Sequence, residues 1–153
     1  MKKFLAVFIA IMFSLPCFAT TWVDVGKYEA IDIDSIQVYK DDNGIIQNNK
    51  RTFWLKHQNK NGSHKSFEKL FKRKISHSEN LCVMDIKNKI HTFKAYKFYD
   101  INEEFIYDYT EKDSKLKWTP IKKNSNAEFW YNVVTDEKLQ KALIKVQQEK
   151  NKK

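Results

Sequence analysis

Residues 118–134, Trp118-Thr-Pro-Ile-Lys-Lys-Asn-Ser125-Asn-Ala-Glu128-Phe-Trp-Tyr-Asn-Val-Val134, divide the chain: the residues before them read as β-sheet and those after them as helix. Ser125 and Glu128 stand at capping-box spacing, in which the serine oxygen accepts from a free N–H of the first turn and the glutamate reaches back to the serine N–H. Pro120 has no N–H to donate and stops a central strand from running into that helix. Phe129, Trp130 and Val133 then supply an apolar stripe. A second helix is expected directly afterwards, capped by Thr135, with Asp136 and Glu137 in its first turn where carboxylates complement the macrodipole. Leu139, Ala142, Leu143 and Val146 come at i, i+3, i+4 and i+7 on a lysine-rich helix, which packs on the sheet in preference to lying on a membrane surface.

Upstream, short strands are expected at 22–25 and 28–33, with Ile36 and Val38 alternating after Asp34-Ser35. Asn43-Gly44 is a tight hairpin signal, because both residues tolerate positive φ. The run 45–57 reads as a long strand, partly at a sheet edge, and 59–63 as a turn. Phe67, Leu70, Phe71, Lys74 and Ile75 fit the face of a short helix or a ragged strand, and periodicity does not separate the two. Strands are expected next at 80–85, 90–99 and 105–109, the last two joined by a turn at 100–104. The fold class is therefore α+β: an antiparallel sheet with a C-terminal helix or helices packed on it.

At the start, Lys2-Lys3, an apolar run at 4–15 and the small residue Ala19 have the order of a secretory signal peptide, cleaved after Ala19. The run is too short for the roughly 20 residues of a membrane span, so no transmembrane span is expected after cleavage. The divisions expected are a signal peptide at 1–19, one α+β domain at 20–150 and a frayed tail at 151–153. Of 28 basic side chains Lys2 and Lys3 leave with the signal, so 26 face 19 acidic ones and the mature charge is +7. That charge bears on solubility and on anionic partners, not on fold. Cys17 leaves as well, and Cys82 then has no partner in its own chain. Two alternatives stay open for it: a buried thiol, or a disulfide between chains that makes a dimer.

The signals for chemistry are few. His57, His64, His77 and His91 do not fall into a metal-ligand spacing, and His77 with Cys82 lacks a third ligand, so no metal and no cofactor is expected. Asp32 with Asp34 and Glu103 with Glu104 resemble carboxylate pairs, but acid–base work needs a cleft and shifted pKa values, and solvated turn carboxylates are the reading. With three glycines, no phosphate-cradling loop is formed, and no nucleophile motif is present. No catalytic residue is assigned, and an enzyme is not expected. Phe93, Tyr96, Phe98 and Tyr99 stand among lysines, where aromatic strand cores are commoner than platforms that stack bases, and no specific nucleic acid is expected.

Trp22, then Tyr28 with Asp32, Asp34, Ser35 and Ile36, then Cys82, Tyr96, and finally Trp118, Ile121 and Ser125 come in an order that resembles the surface-adhesin E family of small exported bacterial proteins. The resemblance runs from Trp22 to Val134. It implies an antiparallel sheet crossed by a C-terminal helix and a role in the cell envelope, in which the best-known type binds host matrix or serum proteins. Two departures stand out: no second cysteine comes after Ser125 to tie helix to sheet, and Pro120 precedes Ile121 instead of standing after it. Helix docking then depends on Phe129, Trp130, Val133 and the Leu139 stripe. The function expected is that of an exported, non-enzymatic envelope protein in the periplasm or on the outer surface, an adhesin-like module for host or envelope proteins. The alternative is a basic periplasmic module for anionic ligands such as lipopolysaccharide, glycans or nucleic acid. The binding residues are left unassigned.

Overall fold

The computed structural model describes residues 20–60 and 62–152, and the expected signal peptide lies outside them. The strands are β1 (Trp22–Asp24), β2 (Glu29–Asp32), β3 (Gln37–Lys40), β4 (Ile46–Gln58), β5 (Ile75–Asp85), β6 (Ile90–Asp100), β7 (Phe105–Thr110) and β8 (Thr119–Pro120). Helix α1 (Lys65–Phe71) separates β4 from β5, while α2 (Asn126–Thr135) and α3 (Glu137–Lys150) close the chain. All the strands join one antiparallel sheet in the order β1-β2-β4-β5-β6-β7, with β3 beside the first part of β4 and β8 beside the start of β6. The fold is α+β.

Several local expectations change. Strand β4 is interior from Lys50 onward, with β5 on one side and β3 then β2 on the other. Ile46 and Gln47 pair with β3 alone, so the strand is partly at an edge as expected. Strands β1 and β7 end the main strand order, and β3 and β8 flank it. At Asn43-Gly44 only Gly44 takes positive φ, +81°, and Asp41 N–H donates to Ile45 O at 3.0 Å around a three-residue loop. The Asp41 carboxylate holds that loop by accepting from Asn43 N and Ile45 N. Strand β5 begins at Ile75 instead of Asn80, because pairing with β4 and β6 holds the polar Ser76, His77 and Ser78 that mask the alternation. Of the two readings for Phe67 to Phe71 the helix is correct, and Lys72 ends it in the left-handed region.

Helix α2 starts at the expected place, with Ser125 Oγ accepting from Glu128 N at 3.3 Å. Glu128, however, reaches back one residue further than a capping box and accepts from Asn124 N at 2.7 Å. Asp136, not Thr135, caps α3: its carboxylate accepts from Lys138 N and Leu139 N, while its own N–H ends α2 on Asn132 O. Thr135 instead donates back to Tyr131 O. Leu139, Leu143 and Ile144 pack toward the core, whereas Ala142 and Val146 are exposed, so the stripe lies one position round from the expected one.

One face of the sheet carries the main core. Val23, Ile31, Phe53, Leu55, Cys82 and Met84 meet Ala127, Trp130, Val133 and Val134 of α2, with Phe129, Ile121, Leu139, Leu143 and Ile144 around them. Trp130 Nε1 donates to Glu29 Oε2 at 3.2 Å, which joins α2 to β2 without a disulfide. Strand β1 is tied to α3 by Lys150 Nζ on the Asp24 carboxylate at 3.1 Å. Among the described residues no helix crosses the other face. Lysine stems lie over its tryptophans there, Lys56 over Trp22 at 4.6 Å and Lys97 over Trp54 at 4.2 Å. Lys56, Glu79, Lys97 and Asp108 stand opposite one another on β4, β5, β6 and β7, a row of alternating charge.

Candidate binding surface

The paired carboxylates serve the backbone. Asp32 Oδ1 accepts from Asp34 N, Asp34 Oδ2 accepts from Thr21 N, and Ser35 Oγ donates to Asp32 O while accepting from Trp54 N on β4. They build the 3-10 corner between β2 and β3. Burial and the neighbouring Asp34 push the Asp32 carboxyl up, against the backbone N–H of Asp34. Glu103 and Glu104 close the β6–β7 turn, where Glu104 accepts from Arg73 at 2.9 Å and Glu103 sits 3.5 Å from His77. Cys82 is fully buried in the main core, and burial pushes its thiol up. A bridge between two copies through Cys82 therefore requires the core to open first.

His57 and His64 are neighbours, with ring centroids 5.7 Å apart, but each histidine has its own partners. His64 lies beneath α1 with Nε2 3.0 Å from Ser78 Oγ; His77 stacks on Tyr99; His57 pairs with Glu29; His91 packs edge-on to Trp130. Burial lowers the pKa of His64, His77 and His91. Among the described residues no group of three His, Cys, Asp or Glu side chains is placed to hold a metal ion.

A polar cluster that the sequence pattern did not reveal lies on the helix-free face. The β6 bulge turns Lys94 to that side, where Nζ donates to Tyr39 Oη at 2.8 Å and to Asp42 and Asp113 at 2.6 Å each. Tyr39 Oη also donates to Asp113, and the Asp42 and Asp113 carboxylates each accept from the other residue's N–H. Burial drags the Lys94 ammonium down, but its bonds to Asp113, Asp42 and Tyr39 outweigh that and hold its pKa above the ordinary range. Burial and the Asp113 carboxylate push Tyr39 up to about 12. The bonds of Lys94 and Tyr39 clamp the loop that follows β3 to the segment that follows β7.

The largest hollow among the described residues is on the helix side, beyond the reach of α2 and α3. Phe67, Leu70 and Phe71 of α1 face Tyr96 and Phe98 of β6 and Tyr107 and Tyr109 of β7 around a cleft of about 700 Å³. Its rings interlock: Phe67 is 4.6 Å from Phe98 and Phe71 is 5.3 Å from Tyr107. Phe98 forms the buried floor, whereas Leu70 is 70% exposed on the rim. Tyr96 and Tyr109 also wall a second, polar hollow of about 340 Å³ with His91, Phe93, Glu111, Lys115, Lys117 and Thr119. Of the residues behind the family resemblance, Tyr96 alone is here; Trp22, Tyr28 and Trp118 receive lysines, and Ile121 and Ser125 seat α2.

Comparison with solved structures finds two crystal forms of Haemophilus influenzae protein E. Each is 14% identical over 74% of this chain, with a TM-score of 0.48, and the match covers 86% of one and 83% of the other. No protein-family model matches the chain, and no curated protein matches it in sequence. Among the described residues no helix is long and apolar enough to cross a membrane. What the surface can do is therefore read from this chain's own residues.

Proposed function

We propose that this chain is an exported bacterial envelope protein whose work is binding and not catalysis, an adhesin-like module that holds a protein partner along the β7 edge. The observation that carries this reading is β7 itself. It ends the sheet, all its residues but Ile106 are exposed, and its outer row of N–H and C=O groups is unpaired by any strand among the described residues. Proteins usually blunt such an edge with lysine, proline or a covering element, as α3 covers β1 here. Strand β7 has Asp108 and a bulge at its start, and otherwise offers Phe105, Tyr107 and Tyr109. Strand addition draws affinity from the main chain and selectivity from alternate side chains, which suits this edge.

Export rests on residues 1–19, and the preference for binding over catalysis on a sequence with no nucleophile or phosphate-loop motif. The test is surface plasmon resonance of the purified chain over immobilised matrix, serum and envelope proteins, beside a Tyr107→Lys, Tyr109→Lys variant. Binding to at least one of them, weakened tenfold or more in the variant, is expected. Silence on every surface, or binding that ignores the variant, rejects the reading. Protease cleavage of the chain on intact cells separates an outer-surface location from the periplasm.

A further inference from the structure

The cleft on the face of β6 and β7 has a chemistry distinct from strand addition at the edge. Of the seven side chains around its apolar part, six are aromatic and the seventh is Leu70. Their polar groups are three tyrosine hydroxyls. At its other end, past Tyr96 and Tyr109, stand Lys115 and Lys117. Neither forms an ion pair among the described residues. One carboxylate shares their hollow, Glu111, which accepts from Tyr109 Oη at 2.7 Å and from Lys112 N at 3.1 Å, so two ammonium groups there face a single carboxylate.

We propose that this cleft binds a monomeric fatty-acyl amphiphile with an anionic head, the chain lying between α1 and β7 and the head on Lys115 and Lys117. The two hollows share Tyr96 and Tyr109 as walls, one being apolar and the other holding two lysines to one carboxylate, the two chemistries such a molecule needs side by side. Their sizes, about 700 and about 340 Å³, fall within the usual range for small-molecule sites, roughly 300–1,000 Å³. A peptide fits the apolar part less well, because it brings a donor and an acceptor per residue into a hollow with three hydroxyls to answer them. A bilayer surface reaches the rim at Leu70 but not the floor at Phe98, which is 2% exposed. The concave shape, with its floor at Phe98, selects a single chain.

The experiment is isothermal titration calorimetry of the purified chain with dodecanoate below its micelle concentration. Dodecyltrimethylammonium, dodecyl maltoside and anionic phosphatidylglycerol vesicles are titrated in parallel. One dodecanoate per chain is expected, at least tenfold tighter than the cationic analogue. The Lys115→Glu, Lys117→Glu variant is expected to lose that tenfold preference while still taking dodecyl maltoside, and Leu70→Asp to weaken all three detergents. Both variants change exposed residues, so an unaltered circular dichroism melt shows that the fold is intact. Equal affinity for both head charges overturns the proposal, as does a lysine variant with an unchanged preference, or binding to vesicles with none to monomeric dodecanoate. Tyr107 and Tyr109 also wall the cleft, so the two readings are separated by Lys115→Glu, Lys117→Glu and by Leu70→Asp, which leave β7 unchanged and are expected to leave binding of protein partners unchanged.

Discussion

The helix side of the sheet ends in two different ways, although both ends are built from the same kinds of residue. Over β1, β2, β4 and β5, helices α2 and α3 seal the surface: Phe53, Val133 and Cys82 are without exposure, and Trp130 fits its ring to the sheet and its N–H to Glu29. Over β6 and β7, the short α1 leaves Leu70, Phe67, Tyr107 and Tyr109 between 41% and 70% exposed. Helix length separates the two ends. An α-helix advances 1.5 Å per residue, so the 10 residues of α2 with the 14 of α3 cover more surface than the 7 of α1, which ends at the left-handed Lys72 and packs on Phe98. Aromatic content alone does not make a core; a surface is closed only where something long enough lies across it.

The sealed end is the one to break first. Trp130→Ala is expected to cost about 3–5 kcal/mol in urea unfolding, since it empties a buried aromatic site, and to speed labelling of Cys82 by a thiol reagent. Phe129→Ala, at a half-buried position, is expected to cost roughly half as much. Near-neutral values in both variants refute the docking of α2.

Next in size is the clamp on the helix-free face. Lys94→Met removes three charge-assisted hydrogen bonds from a buried ammonium and is expected to cost about 2 kcal/mol. Burial works against the Asp113 carboxylate, but bonds from Lys94 and Tyr39 outweigh it and hold its pKa below the ordinary carboxylate range. Its contribution is therefore complete above an unfolded pKa of about 3.9 and is lost as pH falls through the lower folded value. Acid titration of stability in Lys94→Met is expected to show a shallower loss in that window.

His64 sharpens the comparison from beneath α1. Burial, with His57 nearby, lowers its pKa, so the stability tied to its neutral form is full above about 6.5 and declines as pH falls below that. His64→Gln is expected to reduce the drop in urea midpoint between pH 7 and pH 5, a smaller change than the two above. Smallest of all, Leu70→Asp and Tyr107→Lys should each shift stability by no more than about 0.5 kcal/mol, because both residues face solvent. A larger loss measured in either variant would mean that the open end is part of the core after all.

Much of this architecture is visible in the residues themselves. The strands from Trp22 to Thr110 and the helix starting after Ser125 come from alternation and capping, both local properties that a short window contains. Errors arose where a distant partner decided the matter. Polar His77 and Ser78 are strand because β4 and β6 pair with them, with Ser76 carried in the bulge beside them. The cleft was legible in part, since Phe67, Leu70 and Phe71 are more apolar surface than a one-helix seat can hide. The Lys94 clamp was not legible, because a bulge chose the face to which that lysine turned.

The sequence by itself determined the α+β class, the helix start at Ser125 and the burden that apolar packing carries once Cys82 has no partner after it. Each comes from local hydrogen-bonding needs or from a count of residues. Only the tertiary structure decided which strands are edges, that Asp136 joins α2 to α3, that Lys94 is clamped between Asp42 and Asp113, and that Tyr96 and Tyr109 stand between an apolar and a cationic hollow. These depend on register and on the reach of each helix across the sheet, which are set by contacts between residues far apart in the chain.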